Sequence, residues 1–345
     1  MIQTDRNYMT DLLIRLLETP SPTGFTRQAV ELIQLEAAKL GIAAERTAKG
    51  GAVLTIPGRT SAVLGLSAHV DTLGAMVRSV KPNGMIRFAP VGGYAMQSIE
   101  GEYCLIHTRE GKRFEGTVLS TKPSVHVFAD VRDLKREEAN MEIRLDEDVK
   151  SEEDVRKLGI RNGDFISWDP RTRRLPNGYI KSRHLDDKAG VAAIFGMLKW
   201  LKDTGRTPER TLKIVISVYE EVGHGAADLP PDIVELLAVD MGAMGDDLSC
   251  TEREVSICAK DSSGPYDYEM TGKLIRLAEQ EGIPHAIDLY PYYGSDASAA
   301  LRAGNNIRAA LIGPGVHASH GMERTHEDAI ANTAALLAAY VSAPE

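Results

Sequence analysis

The sequence lacks any apolar run approaching the roughly eighteen consecutive residues that a membrane-spanning helix needs. Its start, MIQTDRNYMTDLLIRLLETP, puts acids and arginines where a signal peptide needs a clean apolar segment, so no export signal is expected. Cysteine is scarce. Cys104, Cys250 and Cys258 are odd in number, scattered and without CxxC spacing, which makes them small core residues and a reduced cytoplasm the expected location. Dense basic clusters are missing as well. A formal net charge of −9 over 345 residues argues against a nucleic-acid partner and, with 43% hydrophobic residues, for a globular chain.

Several catalytic signatures are absent. HExxH fails because Ile330 stands where a second histidine would follow His326-Glu327. There is no GxSxG, no GxxxxGK(S/T), and no GxGxxG after the first strand. A glycosidase pair of carboxylates about 5 to 10 Å apart would leave the histidines described below unexplained.

What is present is an interrupted α/β rhythm. Two helical periodicities, YMTDLLIRLLE and TRQAVELIQLEAAKL, precede strands AVLTI and SAVLGLSAHVD. Residues 74 to about 170 differ in texture, with alternating runs around Asn83-Gly84 and Glu110-Gly111 that predict two hairpins, and one short helix capped by Ser151. From about 171 helices and strands alternate again to a terminal helix over about 328–340. The expected fold is therefore α/β: a mostly parallel sheet covered by helices on both faces, formed by residues 1–73 and 171–345, with a β-rich module inserted at 74–170.

In open α/β sheets the functional groups gather at the carboxyl ends of strands. Those positions hold His69 and Asp71 in LSAHVD, His184, Asp186 and Asp187 in SRHLDDKAG, and Glu220 and Glu221 in SVYEEVGHG. Asp240 in LLAVDMG follows, then His317, His320 and His326 in LIGPGVHASHGMERTH. Each alone has an ordinary reading: Asp187 as a helix cap, His184, His224 and His326 as solvated or backbone-bonded rings. Together they supply the histidine, bridging aspartate, glutamate, aspartate and histidine that two divalent cations need, with zinc, cobalt or manganese suited to such ligands. In His69-x-Asp71 the acid is placed to orient a ligating imidazole.

The adjacent acids Glu220 and Glu221 pose a problem, because neighbours on a strand face opposite ways. A strand ending at Tyr219 would release them, with Gly223 and Gly225 permitting the loop. One glutamate then binds metal while the other serves as general base.

SAHVDTLGAMVRSVKPNGMIRFAPVGG, SRHLDDKAGVAA, YEEVG and AVDMG, in this order, resemble the tetrahedral aminopeptidases, a dinuclear metallo-aminopeptidase family also called glutamyl aminopeptidase or endoglucanase-like. The resemblance covers most of the chain. It implies a phosphorylase/hydrolase-like catalytic domain, a β-barrel-like insert used in dimerisation, and assembly of dimers into a tetrahedral dodecamer that trims short peptides. It also implies His69 and Asp240 on one metal, Asp186 bridging, Glu221 and His320 on the other, Glu220 as general base and Asp71 orienting His69. His317 and His326 are the alternatives for the last ligand. Two stretches depart from the family pattern: Thr72-Leu73-Gly74 follows the His-x-Asp, and the last histidine lies in GVHASHGMERTH. Both bear on the substrate pocket rather than the ligands, as do Tyr292, Tyr293 and Asp296 in DLYPYYGSDASAAL.

The expected activity is release of amino-terminal residues from short peptides by a metal-bound hydroxide, with zinc the first candidate metal. A related metal-dependent deacylase or carboxypeptidase is the alternative. Those relatives insert a lid between the later acid and the last histidine, whereas here Asp240 to His320 spans only 80 residues against 117 from His69 to Asp186. A non-catalytic metal-stabilised assembly protein would need no general base. The endoglucanase label is set aside because five metal-type ligands suit peptide hydrolysis better than sugar chemistry.

Overall fold

The computed structural model describes residues 2–344. Seven α-helices are present among them: α1 (Arg6–Leu17), α2 (Arg27–Leu40), α3 (Glu152–Leu158), α4 (Leu185–Thr204), α5 (Tyr268–Glu281), α6 (Asp296–Arg302) and α7 (Glu327–Ser342). Glycines stop α2, α4 and α5. Gly41, Gly205 and Gly282 each take left-handed backbone that other residues resist.

A ten-stranded sheet forms the centre. Its four middle strands, Arg210–Ser217, Thr60–His69, Glu235–Val239 and Arg308–Val316, pair in parallel, so their carboxyl ends emerge along one edge. The outer strands are mixed in direction. Along Thr60–His69 the side chains alternate: Leu64, Leu66 and Ala68 join a core with residues of α1, α2, α4, α5 and α7, while Val63 joins Leu236, Ala238 and α6 on the opposite face. Helices thus cover both faces. Gly65 is required on the second face, where a Cβ would lie 2.8 Å from Ile233.

After His69 the chain leaves the sheet. Six strands, Gly74–Val80, Ile86–Val91, Met141–Leu145, Arg113–Ser120, Tyr103–His107 and Phe165–Trp168, close in that order into a barrel. Its interior has its own core, including Phe88, Ile106, Val118, Ile143 and Trp168. Both expected hairpins are there, with Gly84 and Gly111 at φ 81° and 82° in their turns. The side chain of Ser151 accepts the Asp154 N–H to cap α3.

A small second sheet, not anticipated from the sequence, joins Arg173–Arg174, Tyr179–Ser182 and Glu323–His326. It clips the segment before Asp186 to the segment after His320, which are far apart in sequence. None of the helices is long and apolar enough to cross a membrane.

Candidate metal centre

The three middle strands that carry acids or histidine deliver them to one edge. His69 ends its strand, paired in register with Ser217, and both residues are buried. The Ser217 strand stops there, two residues earlier than its apolar run implies. Glu220 to Val222 form a single 3-10 turn beyond it. In such a turn successive side chains are about 120° apart rather than opposed, so both glutamates can address one site. Asp240 directly follows Glu235–Val239. Asp186 and Asp187 lie in the first turn of α4, where their backbone is non-helical and their shared peptide bond is cis.

The ligand candidates converge. Asp186 presents one carboxylate oxygen to His69 Nε2 at 3.2 Å and the other to His320 Nε2 at 3.3 Å. Glu220 lies 3.7 Å from His69 Nε2, and Glu221 lies 3.4 Å from His320 Nε2. His69, Asp186 and Glu221 offer ligand atoms within 4.8 Å of one another, as do His69, Asp187 and Asp240. His317 is exposed and bridged through its main chain to Arg324, while His326 caps α7 and bonds the Asn177 carbonyl. His224 stacks on Tyr219, away from the cluster.

The supporting contacts explain how the cluster is held. His69 Nδ1 bonds the main-chain carbonyl of Asp71 at 3.0 Å, closer than the Asp71 carboxylate at 3.5 Å. That carboxylate instead accepts the N–H groups of Glu220 and Glu221 and the hydroxyl of Thr23. Glu323 accepts the N–H of Asp186 and that of His320, both at 3.1 Å, and so ties two ligands together. His320 Nδ1 bonds Gly93 of the barrel at 2.5 Å.

Electrostatics show what the site lacks. Burial drives Glu220, Glu221 and Asp187 well above the usual carboxylate range, and takes Asp240 to about 7 and Glu323 to about 8. Burial opposes charge on Asp186 too, but the bonds from His320 and His69 hold it below its usual range. Burial would lower both histidines, yet the surrounding carboxylates keep His69 well raised and His320 up to about 11. The buried acids therefore exceed what two imidazoles neutralise. Asp187 Oδ1, moreover, is buried with no hydrogen-bond partner. Divalent cations among these donors would relieve both conditions, so the residues fit a metal pair.

Sequence reasoning missed the roles of Asp187 and Glu323. Read locally, Asp187 is a helix cap and Glu323 one acid in an irregular loop; only the fold brings them against Asp240 and Asp186. Asp296 accepts bonds from Ser217 and the Ala226 N–H, behind the strand end, and Tyr293 donates to the Met241 carbonyl. A cavity of about 440 Å³ opens over the cluster, lined by Asp186, Glu220, Glu221, Asp240 and His320, with Tyr292 and Tyr293 on its wall. A larger one, about 700 Å³, lies against the barrel and holds none of these groups.

Known proteins are similar to this chain in sequence and fold. A family profile described as M42 glutamyl aminopeptidase matches residues 50–336. YhfE of Bacillus subtilis (strain 168), provisionally named an aminopeptidase, is 47% identical over 336 residues, 97% of each chain. The glutamyl aminopeptidase of Lactococcus lactis subsp. cremoris (strain MG1363) is 27% identical over 244 residues, covering 68% of this chain and 67% of its own. Among solved structures, aminopeptidase APDkam598 from the archaeon Desulfurococcus kamchatkensis superposes with a TM-score of 0.89 at 21% identity, over 98% of this chain and 96% of that one. The TET1 peptidase of Pyrococcus horikoshii, which can assemble into a tetrahedron or a large octahedral shell, gives 0.85 at 23% identity, over 96% and 99%. At those identities the superpositions speak for the fold alone.

Proposed function

The chain belongs to the M42 glutamyl aminopeptidase family, and from that premise we propose that it releases amino-terminal residues from short peptides with two divalent cations at the cluster. His69 and Asp240 would hold one cation, Glu221 and His320 the other, and Asp186 would bridge them. The observation that carries the proposal is the Asp186 carboxylate, one oxygen facing His69 and the other His320. When bound, the cations supply Lewis acidity for the scissile carbonyl and a lowered pKa for water; zinc is proposed first, with cobalt and manganese suited to the same donors.

The remaining work falls to this chain. Glu220, beside His69 but not needed as a ligand, takes the proton of the attacking water and returns it to the leaving amine. Asp71 holds the turn that aims it. The acids along the cavity attract the free ammonium of a peptide, which places the first peptide bond over the cluster.

We extend the proposal to assembly and location. The barrel is the dimerisation domain, and the fold likeness to the Pyrococcus horikoshii peptidase supports a tetrahedral dodecamer as the end state. Three buried free cysteines suit a reducing cytoplasm. Sedimentation at several concentrations measures the assembly: a monomer throughout would remove that part.

Activity is tested with a peptide library, half with free and half with acetylated amino ends, after chelator treatment and reloading with zinc, cobalt or manganese. Mass spectrometry should show ladders shortened from free amino ends only, and only with metal. Loss of acetyl groups, or trimming from the carboxyl end, would replace the aminopeptidase by a deacylase or carboxypeptidase.

A further inference from the structure

Four of the five candidate ligands have a hydrogen-bonding support beyond the adjacent residue. The Asp71 carbonyl holds the His69 ring, and the Asp71 carboxylate holds the N–H of Glu221. Glu323 holds the N–H of Asp186, and Gly93 of the barrel holds the His320 ring. Asp240 is the fifth. Its Oδ1 accepts the N–H of its own neighbour, Met241, at 2.7 Å. Among the described residues, one side chain from another segment bonds this carboxylate, the phenol of Tyr293. Burial raises the Asp240 carboxyl, and the bond from Tyr293 works against that rise.

Tyr293 also holds Asp240 indirectly. Its hydroxyl donates to the Met241 carbonyl at 3.0 Å, and the Met241 N–H in turn donates to Asp240. The loop that carries Tyr293 fixes its aim. It joins the His285–Leu289 strand to α6 and is pinned at both ends. At one end the Tyr290 N–H donates to the Lys260 carbonyl at 2.8 Å; at the other, Ser295 and Ser298 form a reciprocal capping box. Between them the Tyr293 carbonyl accepts the N–H of Ser262 at 3.1 Å and the Ser262 hydroxyl. The ring rests against buried Tyr290, with centroids 4.9 Å apart. Its neighbour Tyr292, by contrast, is 98% exposed. A ligating carboxylate needs such a partner, because the groups that orient a ligand set how well it binds the ion.

Resting on the two-cation reading above, we propose that Tyr293 is a positioning residue whose hydroxyl holds Asp240 toward the cluster and so sets the affinity of the cation shared by His69 and Asp240. It acts through Asp240 and moves no proton. The cation at Glu221 and His320 has its own supports in Asp71, Gly93 and Glu323, so the effect of the phenol is confined to one of the two positions.

The test uses the full chain, stripped with chelator and titrated with zinc or cobalt against a chromophoric chelator. Wild type should take up two cations per subunit. Tyr293→Phe keeps the ring and loses only the hydroxyl. It should bind one cation about tenfold or more weakly and the other as wild type does. Asp240→Asn should weaken the same step, which assigns that step to the His69–Asp240 position. In the cobalt-loaded protein, the visible absorption of that ion should shift in Tyr293→Phe while the other ion's stays. Tyr290→Phe is the matched control, since it removes a buried phenol of the same loop that bonds Ser256 instead. It should lower the melting temperature of the stripped protein and leave both affinities unchanged. Unchanged affinities in Tyr293→Phe, equal weakening of both cations, or the same selective loss in Tyr290→Phe would overturn the proposal. A wild type that takes up no cation would overturn the two-cation reading together with it. A wild type that takes up two, one of them weakened in Tyr293→Phe, yet cleaves no peptide would defeat the aminopeptidase reading alone.

Discussion

The carboxylate of Asp71 accepts the main-chain N–H of Glu220 at 3.2 Å, and its second oxygen accepts that of Glu221 at 3.3 Å. One fully buried acid thus fixes the turn that aims two others, and its own charge is satisfied by N–H groups and the Thr23 hydroxyl. Asp71→Asn replaces an acceptor oxygen with an NH₂ group that confronts a donor. It should lower kcat roughly 10- to 100-fold with KM little changed. A kcat within twofold of wild type would show that the turn holds itself.

Glu220→Gln should keep the full metal content, since Glu221 and not Glu220 faces the His320 side, and should lose about 10²- to 10⁴-fold in kcat. Glu221→Gln should instead lower the metal content. Elemental analysis beside steady-state kinetics distinguishes them; a metal-depleted Glu220→Gln protein would reverse the two roles.

Arg183 links the barrel to the last ligand. It is buried, donates to the Ser98 carbonyl in the barrel and to Gly321 next to His320 at 3.2 Å, and lies 3.4 Å from Glu102. Arg183→Met strands those carbonyls and frees the loop that carries His320. Metal affinity, measured by competition with a chromophoric chelator, should fall about tenfold. Unchanged affinity would mean that the Gly93 contact suffices.

His107, buried in the barrel beside Phe25 and bonded to Ser167, gives a pH signature remote from the metal cluster. Burial lowers it to about 4 in the folded chain, against about 6.5 unfolded. The unfolded chain therefore binds the extra proton first. Stability is full above about pH 6.5 and falls progressively as the pH drops toward 4, by roughly 3 kcal/mol from this group. In urea titrations at pH 7 and pH 4.5, His107→Gln should lose less stability on acidification than wild type. Equal losses would place the proton elsewhere.

The legible parts of the fold were those written in local pattern. Gly41, Gly205 and Gly282 stand at helix ends, where the left-handed backbone favours glycine. Asn83-Gly84 marked a hairpin because the tight turn needs it too. Barrel closure was less visible. The Phe165–Trp168 strand pairs with Gly74–Val80 across some ninety residues, and nothing near either segment announces the other. The apolar run before Glu220 continues through Val218 and Tyr219, two residues past the strand's end at Ser217, because both are apolar although Tyr219 already leaves strand geometry.

The sequence by itself determined the parallel α/β frame, the inserted β-rich module and the residue types at the strand ends, since hydrophobic period and strand-end placement are local properties of the chain. Only the tertiary structure decided which of three histidines meets Asp186 and Glu221, and that Glu323 ties His320 to Asp186. Those choices depend on the small sheet joining Tyr179–Ser182 to Glu323–His326. Contacts between segments more than a hundred residues apart leave no trace in the periodicity of either segment.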